Sequence, residues 1–145
     1  MNDTITGQQR GFGPHLMLDL NECNKEALES LDLVFDILNN LPEQVGMTKI
    51  TQPYVFKYSG VVPEDWGITG VVIIAESHIS IHTFPQKKYV FIDLFSCKSF
   101  NVERAKRFLI KAFGSKKPTT HMVQRGLDFE RSVIPNVPLI QTVRV

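Results

Sequence analysis

The segment AESHISIHTF, residues 75–84, places polar side chains of reactive types within an alternating apolar pattern. Glu76, Ser77 and His78 follow one another, and His82 comes four residues after His78. Such groups are costly to bury in a sheet unless each one finds a hydrogen-bond partner. Any one of them alone would be interpreted as a structural residue. Together, a serine, two histidines and a carboxylate predict a site for nucleophilic and acid–base chemistry.

A serine held rigidly after a strained peptide bond can attack the carbonyl group that precedes it. The amide then becomes an ester, β-elimination cleaves the chain, and the resulting dehydroalanine hydrolyses to a pyruvoyl group. These steps need a hydroxyl nucleophile, a base and donors to the oxyanion. We expect Ser77, His82 and the hydroxyl of Thr69 to supply them, since the block Glu76–Ser77–His78 directly follows an apolar strand.

Two other chemistries use the same residues. His78, His82 and Cys97 are types that bind zinc, but a spacing of four suits a helix and this segment has the pattern of a strand. We therefore expect no metal site. Ser77, His82 and Asp93 can be written as a hydrolase triad, but the glycine-flanked turn that presents such a serine is missing. A hydrolase is accordingly the weaker interpretation.

The composition is that of an ordinary globular domain. The 145 residues are 43% hydrophobic and 21% charged, with a formal net charge of +1. This balance argues against a protein that binds nucleic acid through phosphate neutralisation, and against an electrostatic membrane anchor. There is no apolar run of membrane-spanning length, and the polar first residues predict no secretory signal. We expect a cytoplasmic protein in which Cys23 and Cys97 are reduced, each by default a buried structural thiol.

Hydrophobic periodicity predicts the order β-α-β-β-β-α-β. The strands are expected at 15–20, in the second half of 48–60, at 68–84, at 89–97 and at 120–126. In the third of these, the segment AESHISIHTF continues the apolar run at 68–75. The helices are expected at about 25–40, capped by Asn24, and at 101–114, ended by Gly114. Residues 1–12 and 128–145 are expected to be irregular. Short connections require antiparallel pairing. The prediction is a single α+β domain over 1–145, a two-layer sandwich with helices on one face of an antiparallel sheet.

The run GVVIIAESHISIHTFPQKKYVFIDLFSC closely resembles the bacterial and archaeal S-adenosylmethionine decarboxylases, a pyruvoyl-dependent family. The family pattern is Glu-Ser-His-Ile-Ser-Ile-His-Thr, then an aromatic residue and proline, with a cysteine twenty residues beyond the serine. Ser77 and Cys97 keep that interval. The segment HLMLDLNEC is similar to the family's N-terminal strand, and the resemblance covers most of residues 13–125.

The resemblance implies that the chain cuts itself between Glu76 and Ser77, which gives fragments 1–76 and 77–145. Ser77 would become a covalent pyruvoyl cofactor that forms a Schiff base with the substrate, and neither pyridoxal phosphate nor a metal would be needed. His82 would promote the elimination step of processing. The resemblance further assigns a proton-donor role in turnover to Cys97, a processing role to Thr69, and adenine stacking to aromatic candidates, namely Phe56, Tyr58 and Trp66.

The implied activity is decarboxylation of S-adenosylmethionine, which supplies the aminopropyl donor for spermidine synthesis, by a homodimer with sites near the interface. Three departures from the family pattern concern substrate choice. Phe84 replaces a common tryptophan, Gln86 replaces a common glutamate, and the loop SGVVPEDWG is longer than usual. Two alternatives stay open: a pyruvoyl-dependent decarboxylase of arginine or ornithine, and a non-catalytic binding domain of the same fold.

Overall fold

The chain folds into an antiparallel sheet that carries helices on one of its faces. The computed structural model describes residues 11–131. Their elements are β1 Gly13–Asn21, α1 Lys25–Leu28, α2 Leu31–Gln44, β2 Thr48–Lys49, β3 Tyr54–Tyr58, β4 Gly67–Ala75, β5 Ser77–Phe84, β6 Tyr89–Ser96, α3 Val102–Phe113 and β7 Lys117–Arg125. Residues 128–131 lie in neither a helix nor a strand. The remaining parts of the two tails that we expected to be irregular, 1–10 and 132–145, lie outside the described residues.

The strands are arranged in the order β2-β4-β5-β6-β1-β7, and β3 also pairs with β4. Every pairing is antiparallel. One face of the sheet packs against α2 and α3, and this core includes Leu16, Leu18, Val72, Ile79, Ile92, Leu38, Leu109 and Phe113. The predicted α+β two-layer sandwich is therefore confirmed. The opposite surface of the sheet, here called the open face, carries Phe56, Thr69, His78, His82 and Phe91.

The predicted continuous strand at 68–84 is wrong. The chain reverses at Ala75–Glu76, so that β4 and β5 form a hairpin in which Ile74 lies opposite Ser77. Strand-like residues occur on both sides of the reversal, and the turn contains no glycine, proline or asparagine to indicate it. The consequence is functional, because Ser77 begins a strand at the tip of a hairpin.

The predicted helix at 25–40 is in fact two helices. Asn24 caps the first through its side chain, which accepts a hydrogen bond from the Ala27 N–H at 3.0 Å. Ser30 then caps the second, accepting from the Leu33 N–H at 3.0 Å. Serine side chains readily form hydrogen bonds with nearby backbone groups. The Ser30 cap therefore starts a second helix in a segment where hydrophobic periodicity alone predicts a single helix. The second helix continues past the predicted end to Gln44.

The two-residue strand β2 was not predicted, and the other elements lie close to their predicted positions. Asn101 caps α3, and Gly114 ends it in the left-handed conformation with φ +61°. β1 and β7 are longer than predicted because they pair with each other over nine residues, from Gly13 opposite Arg125 to Asn21 opposite Lys117. Within residues 11–131, none of the helices is long and apolar enough to cross a membrane.

Candidate functional site

The tip of the β4–β5 hairpin holds Ser77 in an unusual backbone conformation. Its φ is +132°, a region that residues with a side chain rarely adopt and that costs about 1–3 kcal/mol. The surrounding sheet maintains this conformation, because β5 is paired along its length with both β4 and β6. The peptide bond between Glu76 and Ser77 is thus presented at the end of the sheet next to a backbone-strained serine.

Cys97 forms two hydrogen bonds with Glu76, the residue before Ser77. The Cys97 N–H donates to the carbonyl oxygen of Glu76 at 3.1 Å. The Glu76 N–H in turn donates to the Cys97 Sγ at 3.2 Å. That carbonyl belongs to the Glu76–Ser77 peptide bond, so a donor already faces the oxygen that would gain charge when a nucleophile attacks. Three of the residues singled out from the sequence, Glu76, Ser77 and Cys97, therefore meet at one place.

His78 also belongs to this place. Its Nδ1 lies 3.4 Å from the Ser77 Oγ. Its ring packs edge-to-face with the ring of Phe95, with centroids 6.0 Å apart and an interplanar angle of 71°. The sequence analysis included His78 in the reactive cluster but gave it no individual role besides that of a metal ligand, although its adjacency to Ser77 was the available signal for this contact. Among residues 11–131, no three His, Cys, Asp or Glu side chains are grouped so that they could hold a metal ion.

Thr69 and His82 form a separate group on the open face. The Thr69 Oγ1 lies 3.2 Å from the His82 Nδ1, because the two residues are opposite each other on β4 and β5. Phe56 is opposite Thr69 on the other side of β4. His82 is five residue steps along β5 from Ser77, a distance of about 16 Å at about 3.3 Å per residue. Within one chain, the structure therefore does not bring His82 or Thr69 to the Ser77 hydroxyl.

The three aromatic candidates for substrate binding lie at the His82 end of the sheet. Phe56 and Tyr58 project from β3 with 50% and 58% of their surfaces exposed. Trp66 lies in the connection to β4, with the Lys57 ammonium 4.6 Å from its ring centroid. None of the three is near Ser77 of the same chain, since β3 pairs with β4 only between Gly67 and Val71.

A different group of side chains surrounds the hairpin tip, and the sequence reasoning did not identify it. Phe95 packs against the rings of Phe12 and His15 at centroid distances of 5.4 and 5.3 Å. The Arg125 guanidinium lies 4.1 Å from the Phe95 ring centroid. Arg131 donates to the carbonyl oxygen of Cys97 at 2.6 Å. These residues come from both ends of the described chain and from β6, so no local sequence pattern indicates that they meet.

Comparison with known proteins identifies the family. A statistical model of the S-adenosylmethionine decarboxylase family matches residues 14–126. The chain belongs to this family. It is 35% identical over 122 residues to the S-adenosylmethionine decarboxylase proenzyme of Thermodesulfovibrio yellowstonii, covering 83% of this chain and 86% of the relative. It is 30% identical over 129 residues to the proenzyme of Pyrococcus furiosus, covering 88% of each.

A solved structure of the same family has the same fold. The crystal structure of the adenosylmethionine decarboxylase from Aquifex aeolicus matches with a TM-score of 0.70 and 25% identity, over 85% of this chain and 98% of that one. The match to the S-adenosylmethionine decarboxylase family extends from β1 to the end of β7, and it includes the whole hairpin tip.

The two cysteines of this S-adenosylmethionine decarboxylase family member differ in environment. Cys23 is buried, and burial raises the pKa of its thiol to about 11. Its Sγ donates to the Leu20 carbonyl at 3.4 Å. Cys97 is half-exposed, so the default expectation of a buried thiol is wrong there. The accessible thiol is the one beside Ser77.

Proposed function

We propose that the chain is the precursor of a pyruvoyl-dependent decarboxylase that acts on S-adenosylmethionine and that cuts itself between Glu76 and Ser77. The observation that supports it best is the bond from the Cys97 N–H to the Glu76 carbonyl, next to a serine with φ +132°. The relatives in Thermodesulfovibrio yellowstonii and Pyrococcus furiosus are named S-adenosylmethionine decarboxylase proenzymes, which supports both the substrate and the precursor state.

In the first step of processing, the Ser77 Oγ bonds to the carbonyl carbon of Glu76, and the peptide C–N bond breaks to give an ester. The Cys97 N–H faces the carbonyl oxygen throughout and stabilises its charge in the transition state. Elimination then removes the Ser77 Cα proton and breaks the Cβ–Oγ bond, which releases Glu76 as a carboxylate. The remaining dehydroalanine tautomerises to an imine, and hydrolysis of this imine releases ammonia and leaves the pyruvoyl group at the start of β5.

The residues at the hairpin tip fit such a group. A pyruvoyl group at position 77 would supply a ketone able to accept electrons as carbon dioxide leaves the substrate. Cys97 holds its thiol against the residue-76 N–H, so we propose that this thiol donates a proton to the substrate carbon. Phe95 and Phe12 cover one side of the tip with aromatic surface, and this surface limits the access of water. The product would serve as the aminopropyl donor for spermidine synthesis.

We also propose that the active form is a homodimer, because the Thr69–His82 group is about 16 Å from Ser77 along a rigid strand. If His82 promotes elimination, the histidine that acts on one tip comes from a second copy. The open face is suited to such a contact, since it exposes large apolar side chains: Tyr54, Phe56, Tyr58, Ile73 and Phe91. A face-to-face arrangement of two open faces would cover them.

The test of self-cleavage is the size of the mature chains. Wild-type protein should separate under denaturing conditions into fragments 1–76 and 77–145, the second lacking a free amino terminus. Ser77→Ala should stay as one chain, because no hydroxyl is left to attack. Cleavage of Ser77→Ala at the same bond would contradict the proposal.

The test of substrate is the mass of the second fragment after borohydride reduction. Reduction with S-adenosylmethionine should add the decarboxylated substrate to this fragment. Parallel reactions with arginine and with ornithine should add nothing. An adduct only with one of those amino acids would instead identify the alternative decarboxylase. A processed protein that forms no adduct with any of the three would favour a binding domain.

A further inference from the structure

We propose that His78 is the base that takes the proton from the Ser77 hydroxyl in the first step of self-cleavage. The inference rests on the proposed function and adds to it a catalytic residue for one particular step. The observation is the 3.4 Å separation between the His78 Nδ1 and the Ser77 Oγ. The histidine expected from the sequence, His82, bonds to Thr69 instead and is too distant within the chain.

The environment of His78 holds its ring in place. The Phe95 ring packs edge-to-face with the His78 ring, and Phe95 itself contacts both His15 and the Arg125 guanidinium. β5 is paired on both sides, so the backbone of His78 is fixed opposite Ile73 and Phe95. A separation of 3.4 Å is longer than a working hydrogen bond, and such contacts commonly shorten as the reaction begins.

The proton balance of the step is complete. The Oγ–H proton moves to the His78 Nδ1 as the Oγ bonds to the Glu76 carbonyl carbon, and the Cys97 N–H stabilises the resulting oxyanion. The imidazolium then returns the proton to the Ser77 nitrogen as the C–N bond breaks. The products are an ester and a free amine, and no oxidant, metal or second chain takes part.

This assignment divides processing between two histidines. His78 acts within one chain and forms the ester. His82 is proposed to act from a second copy and to promote the elimination. Because the two steps leave different linkages, an amide before the first step and an ester after it, variants of the two histidines should stall in chemically distinguishable states.

The experiment compares His78→Gln with His15→Gln in freshly produced precursor. Both histidines pack against Phe95, but the His15 Nε2 bonds to the Asp93 Oδ1 at 2.9 Å and has no role in the proposed step. His78→Gln should cleave roughly 10²–10⁴-fold more slowly than wild type, the usual contribution of a general base. The uncleaved chain should resist hydroxylamine, because its linkage is still an amide. His15→Gln should cleave at close to the wild-type rate.

His82→Ala provides the contrasting state, since its full-length chain should be cut by hydroxylamine at the ester. If His78→Gln disturbs folding, His78→Ala with added imidazole gives the answer, and cleavage should be restored in proportion to the imidazole concentration. Wild-type cleavage in His78→Gln, or an ester that accumulates in it, would overturn the assignment. Neither result would affect the proposed self-cleavage at Glu76–Ser77, which fails if wild-type protein stays intact or Ser77→Ala is cut, and neither bears on the substrate, which the borohydride experiment tests.

Discussion

At the scale of single residues, Cys97 contributes two different groups to the hairpin tip. Its backbone N–H contacts the Glu76 carbonyl and its Sγ accepts from the Glu76 N–H. We assign the first group to processing and the second to turnover. A substitution removes only the side chain, so the two assignments can be separated in one variant.

Cys97→Ala should therefore still cut itself, because the N–H donor is retained, but should lose roughly 10²–10⁴ in turnover, the usual contribution of a general acid. The measurement is carbon dioxide release for each processed active site. The variant should also inactivate sooner, because protons delivered to the wrong carbon convert the pyruvoyl group to alanine, which N-terminal analysis of fragment 77–145 detects.

The control is Cys23→Ala, which removes a buried thiol far from the tip in sequence and should keep its turnover per processed site. Undiminished turnover in Cys97→Ala would leave Cys97 with a structural role alone.

At the scale of elements, local signals were predictable and long-range ones were not. The ends of α3 follow from Asn101 and Gly114, because a cap and a left-handed glycine act on adjacent backbone. The hairpin tip could not be recognised, because its turn depends on pairing between β4 and β5 rather than on residues with a turn preference. For the same reason His82 was placed with Ser77, whereas strand geometry separates the two.

Thr83 shows how the elements at the end of β5 away from the tip are joined. It is 2% exposed. Its Oγ1 donates to the Leu28 carbonyl at the end of α1 and accepts from the Ile68 N–H of β4, both at 2.8 Å. The hydroxyl thus connects a helix to two adjacent strands through backbone groups that would otherwise be buried without partners.

Thr83→Val keeps the shape of the side chain and removes both bonds, so it should lower the free energy of unfolding by about 1–3 kcal/mol for each orphaned group. Urea denaturation measures the free energy of unfolding. Each Thr83 variant also carries Ser77→Ala, so that every molecule is a single uncut chain. Thr83→Ser, which retains the hydroxyl, should lose much less. Equal losses in the two variants would show that the methyl group, and not the hydrogen bonds, stabilises this junction.

At the scale of the whole molecule, the separation of the two groups on the open face is the main feature. The Thr69–His82 group and the hairpin tip lie about 16 Å apart on one sheet. In the proposed homodimer, the Ser77 that is processed and the His82 that acts on it would therefore belong to different chains.

Co-expression of Ser77→Ala with His82→Ala should therefore restore cleavage that neither variant completes alone. Only the His82→Ala chain should be cut, since it retains Ser77 and receives His82 from its partner. Differently tagged chains and intact mass identify which one is processed. Absence of cleavage in a purified mixed dimer would place the action of His82 within its own chain.

The strand order also determines what becomes of the two fragments. If the chain is cut as proposed, β1 would belong to fragment 1–76, yet it lies between β6 and β7, which would belong to fragment 77–145, and it pairs with both. The pieces are thus interleaved, and a cut at the tip breaks none of these ladders. Refolding is different, because before the cut it is a unimolecular event and afterwards two separate chains must find each other. The mature protein would recover from denaturation only at a rate that falls with dilution, whereas its uncut precursor would recover at any concentration.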